Sequence, residues 1–327
     1  MMHPHLIVLV LFVVSLYTAE AQSVTHGLQL TQNPPPNVLA TRSVVLYDYA
    51  YTAAELDEIQ RSFQKIGIDP IAYFETDKVF AGKDLVKAFG EYFSSRQISY
   101  LVVLEKGPTG FHLTVAPYEQ TLRLMKVDQP AWRVNNDRLD NLLLTVWQDS
   151  WRSQKKQNYL INDKPETDIV IDPIRGKRNE FYAVDLKVDN LAVIKSGDEA
   201  RDLELEKFFA ENYPLKYKVV EAGSDELELR RQGFHYVLAF VHTRGEIAKE
   251  ILGYDISKGD KNYVSITFPS GQLHLKIIPR EKKIYKFYFR HIDNGNVFLG
   301  TKWDADDTWH DALRNHVLGF KHEAHIN

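Results

Sequence analysis

The chain has 327 residues, with 40 Lys and Arg against 44 Asp and Glu, a formal charge of −4, 12% aromatic residues and no cysteine. Positive and negative side chains are interleaved along its length, so no basic patch points to nucleic acid. The missing cysteine excludes disulfides, a thiol nucleophile and a lipid-bearing N-terminal cysteine.

Leu6 to Tyr17 is a short apolar run followed by Ala19-Glu20-Ala21, the pattern of a signal peptide cleaved after Ala21. The run is too short to cross a bilayer comfortably and no later stretch is longer, so no stable membrane span is expected after cleavage. An exported, cysteine-free chain without an Asn-x-Ser/Thr acceptor fits a bacterial periplasmic or secreted protein. What remains after cleavage suffices for two ordinary domains.

Residues 22–42, with Pro34-Pro35-Pro36, read as an exposed leader. The first α/β unit is expected over 43–155. Ser43 to Tyr47 is a strand, and Thr52 with Glu55 forms a capping box for a helix that Gly67 stops. Ile68 to Phe74 is an edge strand carrying Pro70. A helix over 82–94 buries Leu85, Phe89 and Phe93. Tyr100 to Leu104 is an unbroken apolar run, hence a central strand covered on both faces. Lys106 to Gly110 turns the chain into a return strand, Phe111 to Ala116. Thr121 to Val127 reads as a further strand. A helix with Leu139, Leu142, Leu143, Val146 and Trp147 closes the unit.

Residues 156–180 form a linker or docking segment, in which Asp168 to Asp172 reads as a short strand. The second unit spans 181–318. Its expected order is a strand at Phe181 to Val188, another at Leu191 to Ile194, and a helix capped by Asp198 or Glu199. Then come a strand at Leu215 to Glu221, a short helix from Asp225, and a second central strand at Phe234 to Val241. Ile247 to Leu252 fits either helix or strand. Hairpins follow around Ser270-Gly271 and Asp293-Asn294-Gly295. A last helix over 305–317, capped by Asp304 or Asp306 and carrying Trp309, leads to a flexible tail, 319–327. The fold class is therefore α/β (α+β): two units with mixed sheets, the second richer in strands. The shared order of elements, with the stretch around Arg96-Gln97 echoed at Arg231-Gln232, suggests a diverged duplication.

The run from Leu56 to Ile66, then Ile71-Ala72-Tyr73-Phe74, Asp84 to Tyr92, Tyr100 to Leu104 and Phe111 to Val115, resembles the TPM domain, an exported α/β module. The resemblance covers residues 43–150 and is one of pattern. Where the family carries Asp-Asn-Gly before its apolar strand, this chain has Gln97-Ile98-Ser99. Where the family has a Gly-Tyr-Gly segment, it has Ala116-Pro117-Tyr118. Family members include acid phosphatases, calcium binders and assembly factors, and without those segments neither activity maps onto named residues.

In an open α/β sheet a site forms beyond the strands' carboxyl ends. That singles out Asp48, Glu105 and Lys106 in the first unit and Asp185, His242 and Arg244 in the second. Asp48 and Glu105 would share a proton or a metal if adjacent. At the C-terminus, His310, His316, His322, Glu323 and His325 come nearest to a metal cluster, yet His322-Glu323-Ala324-His325 falls one residue short of the zincin spacing. No phosphate loop and no serine elbow is present. Two functions follow as expectations. The first is a non-enzymatic exported binding or envelope-assembly protein without cofactor, whose partner is an envelope protein or a small ligand. The second is a metal-assisted phosphoric-ester hydrolase using a divalent cation held by strand-end carboxylates.

Overall fold

The computed structural model describes residues 23–121, 123–166, 169, 171–255, 263–267 and 272–326. The expected signal segment, the start of the Asp168 to Asp172 strand and the Ser270-Gly271 turn lie outside them.

The first unit comprises β1 (Gln29–Thr31), β2 (Arg42–Tyr47), α1 (Ala53–Ile66), β3 (Asp69–Glu75), α2 (Thr76–Val79), α3 (Lys83–Ser95), β4 (Ile98–Gly107), β5 (Gly110–Pro117), β6 (Pro130–Asn136) and α4 (Leu139–Ser153). The second has β7 (Arg178–Asn179), β8 (Asn190–Ile194), α5 (Glu199–Asn212), β9 (Tyr217–Val220), α6 (Glu226–Arg231), β10 (Phe234–Arg244), α7 (Gly245–Leu252), β11 (Tyr263–Thr267), β12 (Leu273–Ile277), β13 (Lys283–His291), β14 (Val297–Phe298) and α8 (Trp309–Glu323).

Each unit builds a mixed six-stranded sheet, ordered β1-β6-β5-β4-β2-β3 in the first and β7-β14-β13-β10-β8-β9 in the second. Taken in chain order within its unit, each strand occupies the same place, so the topology repeats. The repeat extends to an irregularity. Pairing steps from Arg42↔Ile98 to Ser43↔Tyr100, skipping Ser99, and from Asn190↔Phe234 to Leu191↔Tyr236, skipping His235. Both central strands are entered through a left-handed residue, Gln97 at φ 57° and Gly233 at φ 91°. Glycine adopts that conformation freely, whereas glutamine does so at some cost.

The units diverge after the central strand. Pro108-Thr109 is all that separates β4 from β5, whereas α7 and the separate two-stranded β11–β12 arm intervene between β10 and β13.

Sheet faces follow the period-2 alternation. Val45, Val102, Leu104, Leu113 and Val115 pack under α1 and α4. Val44, Leu46, Leu101 and Val103 pack under α3, through Leu85, Phe89 and Phe93. That second cluster continues without a break into Val241, Ile247, Ile251, Ile284 and Tyr288 of the other unit. Helices α2, α3 and α7 thus lie between the two sheets. The far face of the second sheet is closed by α5 and α8, through Leu205, Phe209, Leu313, Val317 and Phe320.

Capping chemistry explains several boundaries. Thr52 Oγ1 accepts from the Glu55 N–H at 3.3 Å, and Glu55 accepts from the Thr52 N–H at 2.8 Å, the reciprocal box that starts α1. Gly67, at φ 104°, ends it.

Several expectations are corrected. The leader is only partly exposed: Val38 and Leu39 are buried in the first core, and β1 pairs with β6. The proposed tail is the end of α8, where Phe320 is buried. Thr121 to Val127 lies before the sixth strand, which is Pro130–Asn136, where Ala131, Trp132 and Val134 turn inward. Within Phe181 to Val188 the chain forms a 3-10 turn, Val184–Lys187, because Ala183 and Leu186 are buried three apart and not two. Helix α8 is capped by Thr308, whose Oγ1 accepts from the Asp311 N–H at 3.2 Å, and not by Asp304 or Asp306. Those two carboxylates are buried in ion pairs.

Candidate functional site

Connections diverge from the carboxyl ends of β2 and β4, and of β8 and β10, the positions at which such sheets hold ligands. In the first unit the three sequence candidates sit there, each with its own partners. Asp48 accepts from the Ala50 N–H at 3.0 Å in a local turn. Glu105 ion-pairs Arg133 at 3.2 Å and accepts the hydroxyls of Ser23 and, at 3.1 Å, Thr25. Lys106 reaches Glu55 at 2.9 Å and lies over the rings of Tyr51 and Phe111. Burial works to raise the Glu55 carboxyl, but its bonds to Lys106 and Thr52 outweigh it and hold the group below its ordinary value. The expected Asp48–Glu105 pairing is replaced by these separate contacts.

The second unit fills the equivalent place with its own acid. Asp202 accepts from the Ser196 N–H at 2.7 Å, the Ser196 hydroxyl at 2.8 Å and the Gly197 N–H at 3.0 Å. The backbone nest at the start of α5 is therefore occupied by a carboxylate of the same helix. Beside it, the Arg201 guanidinium lies 5.2 to 5.7 Å from the ring centroids of Trp309, Tyr285 and Phe240. His242 stacks on Tyr285 at 3.8 Å.

Burial, with Lys283 and Arg201 nearby and Asp77 opposing, pushes His242 down to about 4 from an ordinary 6.5. The unfolded chain then binds a proton here that the folded chain refuses, so stability is fully present above about pH 6.5 and falls as pH drops toward 4. His242→Gln is expected to flatten that part of the stability–pH curve. Denaturation midpoints at pH 7, 6, 5 and 4 check this, and parallel curves for the two proteins would contradict it.

Arg244 belongs to the junction between the units. Its guanidinium binds Glu75, lies 3.3 Å from Asp77 and covers the Tyr49 ring at 4.6 Å. Lys283 adds a 2.7 Å contact to Asp77, and the His242 N–H donates to the Ala81 carbonyl at 2.6 Å. A Cβ on Gly82 would come within 2.8 Å of the Phe240 carbonyl oxygen, so glycine lets the start of α3 close on β10. The carboxyl ends of β2, β3 and β10 thus meet and neutralise one another. Asp185 is not among them: it lies exposed in the 3-10 turn, with its side chain bonded to Tyr236 near the amino end of β10.

Lys286 and Asp304 were not singled out as site residues by the sequence, Asp304 having been read only as a helix cap. Lys286, Asp304 and His316 are 0%, 2% and 0% exposed. Lys286 Nζ lies 2.7 Å from Asp304 Oδ1 and donates to the carbonyls of Phe287 (2.9 Å) and Leu299 (2.5 Å). Asp304 Oδ2 is contacted by His316 Nδ1 at 3.0 Å and by the Tyr182 hydroxyl at 3.2 Å. Burial pushes the Lys286 ammonium down, with Asp304 opposing, and likewise pushes His316 down. Space for Tyr182 depends on Gly319, where a Cβ would strike its hydroxyl. The only sequence signal was a lysine in the otherwise apolar run Ile284 to Phe289. His316 was a candidate, but its expected neighbours are elsewhere: His322 and His325 are exposed while His316 is buried. No trio of His, Cys, Asp or Glu placed to hold a metal occurs among the described residues.

Two rows of large apolar side chains face solvent. On α4, Leu144, Trp147 and Trp151 form a stripe, with the two indoles 5.6 Å apart. Trp147 is thus a surface residue and not a core anchor. On the β11–β12 arm, Leu273, Leu275 and Ile277 alternate onto one face, the last two 70% and 64% exposed, joined by Tyr263 opposite Ile277.

Among the described residues no helix is long and apolar enough to cross a membrane. Comparison with protein-family models, curated proteins and solved structures returned no match.

Proposed function

We propose that this chain is a non-catalytic binding protein of the exported compartment, periplasmic or secreted, that engages a protein partner through the β11–β12 arm. The observation that carries this reading is the arm itself. It is an elaboration of one copy of a repeated fold, and it holds Leu273, Leu275 and Ile277 in water along one face. Exposed apolar rows of this kind are what partner surfaces bury. Supporting it, the strand-end positions hold the chain's own side chains: Lys106 with Glu55, Asp202 in the Ser196–Gly197 nest, and Arg244 with Glu75 and Asp77.

A photo-crosslinking residue at position 275 is expected to capture one discrete protein in the native envelope or culture fluid, while the same residue at exposed position 211 captures none. Equal labelling from both positions would count against the arm. The metal-assisted hydrolase remains the rival reading. Divalent-metal-dependent hydrolysis of phosphoric esters by the purified chain, abolished by Glu105→Gln, would replace the binding reading with that one.

A further inference from the structure

We propose that Lys286 and Asp304 become joined by an intramolecular amide bond, formed by the folded chain without any other component. The two side chains come from different elements, β13 and the loop that leads into α8, and meet at 2.7 Å in a site sealed from solvent. Phe289 and the Tyr182 ring wall the site through their contacts with His316, and Phe320 packs against both of those rings.

Charge separation is expensive in such a place. Moving one proton from the Lys286 ammonium to the Asp304 carboxylate replaces two buried ions by a neutral amine and a neutral acid. Desolvation favours that exchange, while the contacts of Asp304 with Lys286 and His316 oppose it and hold its carboxyl below the ordinary value. Burial already pushes the lysine toward its neutral form. The free amine then lies beside a carboxyl group whose other oxygen is held by His316 and Tyr182.

The step balances within the cluster. The nitrogen lone pair attacks Asp304 Cγ, giving a tetrahedral carbon with the negative charge on Oδ1, while His316 and Tyr182 hold Oδ2 as the leaving oxygen. Collapse breaks the Cγ–Oδ2 bond. The two protons that the ammonium has lost depart on that oxygen as one water, and the nitrogen keeps one proton in the amide. Nothing is oxidised or reduced. His316 Nδ1, 3.0 Å from Oδ2, hydrogen-bonds the leaving oxygen, and both protons of the departing water come from the lysine nitrogen. Its Nε2 is buried with no hydrogen-bond partner, consistent with a neutral ring whose only polar contact is this one.

The fold itself does not require the charges. Leu142, Leu143, Val146 and Ser150 of α4 are buried at the same spacing as Ala312, Leu313, His316 and Phe320 of α8, so the first unit fills the histidine's place with valine. A buried ion pair contributes little to stability compared with apolar packing, whereas an amide would brace α8 to the sheet in a chain that has no cysteine.

Intact-mass spectrometry of the purified, reduced full chain tests the proposal directly. The expected mass is one water below that calculated for the chain from its observed N-terminus. Tryptic digestion should leave Lys286 uncut and yield a branched peptide containing Lys286 and Asp304, and Asp304→Ala should return the chain to its full mass. Wild-type protein at full mass, or a one-water deficit that maps to any other residues, would overturn the proposal. The wild-type measurement decides on its own should the variant fail to fold.

Discussion

Asp304→Ala is expected to be the most damaging single substitution at the polar cluster, costing about 3–5 kcal/mol because it strands an amine in a sealed apolar site. His316 and Tyr182 lose their shared acceptor at the same time, leaving further buried polar atoms unpaired. Urea denaturation of the variant beside the wild type measures the loss. A second variant, Lys286→Met with Asp304→Leu, separates charge from cross-link. Were the wild type held only by an ion pair, the apolar pair would recover most of the stability, since such replacements are neutral or stabilising. With the amide in place, the double variant stays below the wild type by the chain-entropy contribution of a short cross-linked loop, about 3 kcal/mol. Full recovery would therefore argue against the bond as well as against any special value of the charges.

Phe89→Ala should cost a similar amount, about 3–5 kcal/mol, because it removes a buried aromatic ring and leaves a cavity that the surroundings fill only in part. Phe89 is fully buried and packs edge-on against Phe74 at 5.0 Å. Its more informative effect concerns cooperativity. Phe89 belongs to the cluster that continues into Ile247, Ile284 and Tyr288, so damage on the first unit's helix weakens the second unit too. Wild type and variant should each unfold in one transition, with tryptophan fluorescence coincident with far-UV circular dichroism. Trp132 reports from the first unit and Trp303 and Trp309 from the second. Separated transitions would show that the two units hold their own cores.

Much of this architecture was legible in the residues. Apolar runs such as Tyr100 to Leu104 mark central strands without ambiguity, since nothing else buries both faces of a short segment. Capping residues located α1, α5 and α6 to within a residue, because Thr52, Asp198 and Asp225 bond the first turn locally. Pro130 to Asn136 was hidden because it opens on Pro130 and buries Ala131 and Trp132 side by side on opposite faces, which breaks the alternation of an otherwise ordinary strand. Ile247 to Leu252 could not be assigned because an apolar run of that length fits either period. At the site, strand-end reasoning located His242 and Arg244 but not what they meet. Glu75 and Asp77 lie far away in sequence, and nothing local links them to Arg244. Lys286 and Asp304 escaped for the same reason: a lysine in a strand looks solvated until the loop that covers it is known.

The layer of helices between the sheets has a consequence for the order in which the chain acquires structure. Helix α3 is emplaced by the first unit's own strands, yet its other side is completed only when β10 and β13 arrive. In each sheet, moreover, the opening strand lies next to the closing one, β1 beside β6 and β7 beside β14. Neither sheet can finish its edge early, and contacts of such long sequence separation slow folding. During synthesis the first unit therefore waits with an apolar flank uncovered, an intermediate prone to aggregation until the second half of the chain closes over it.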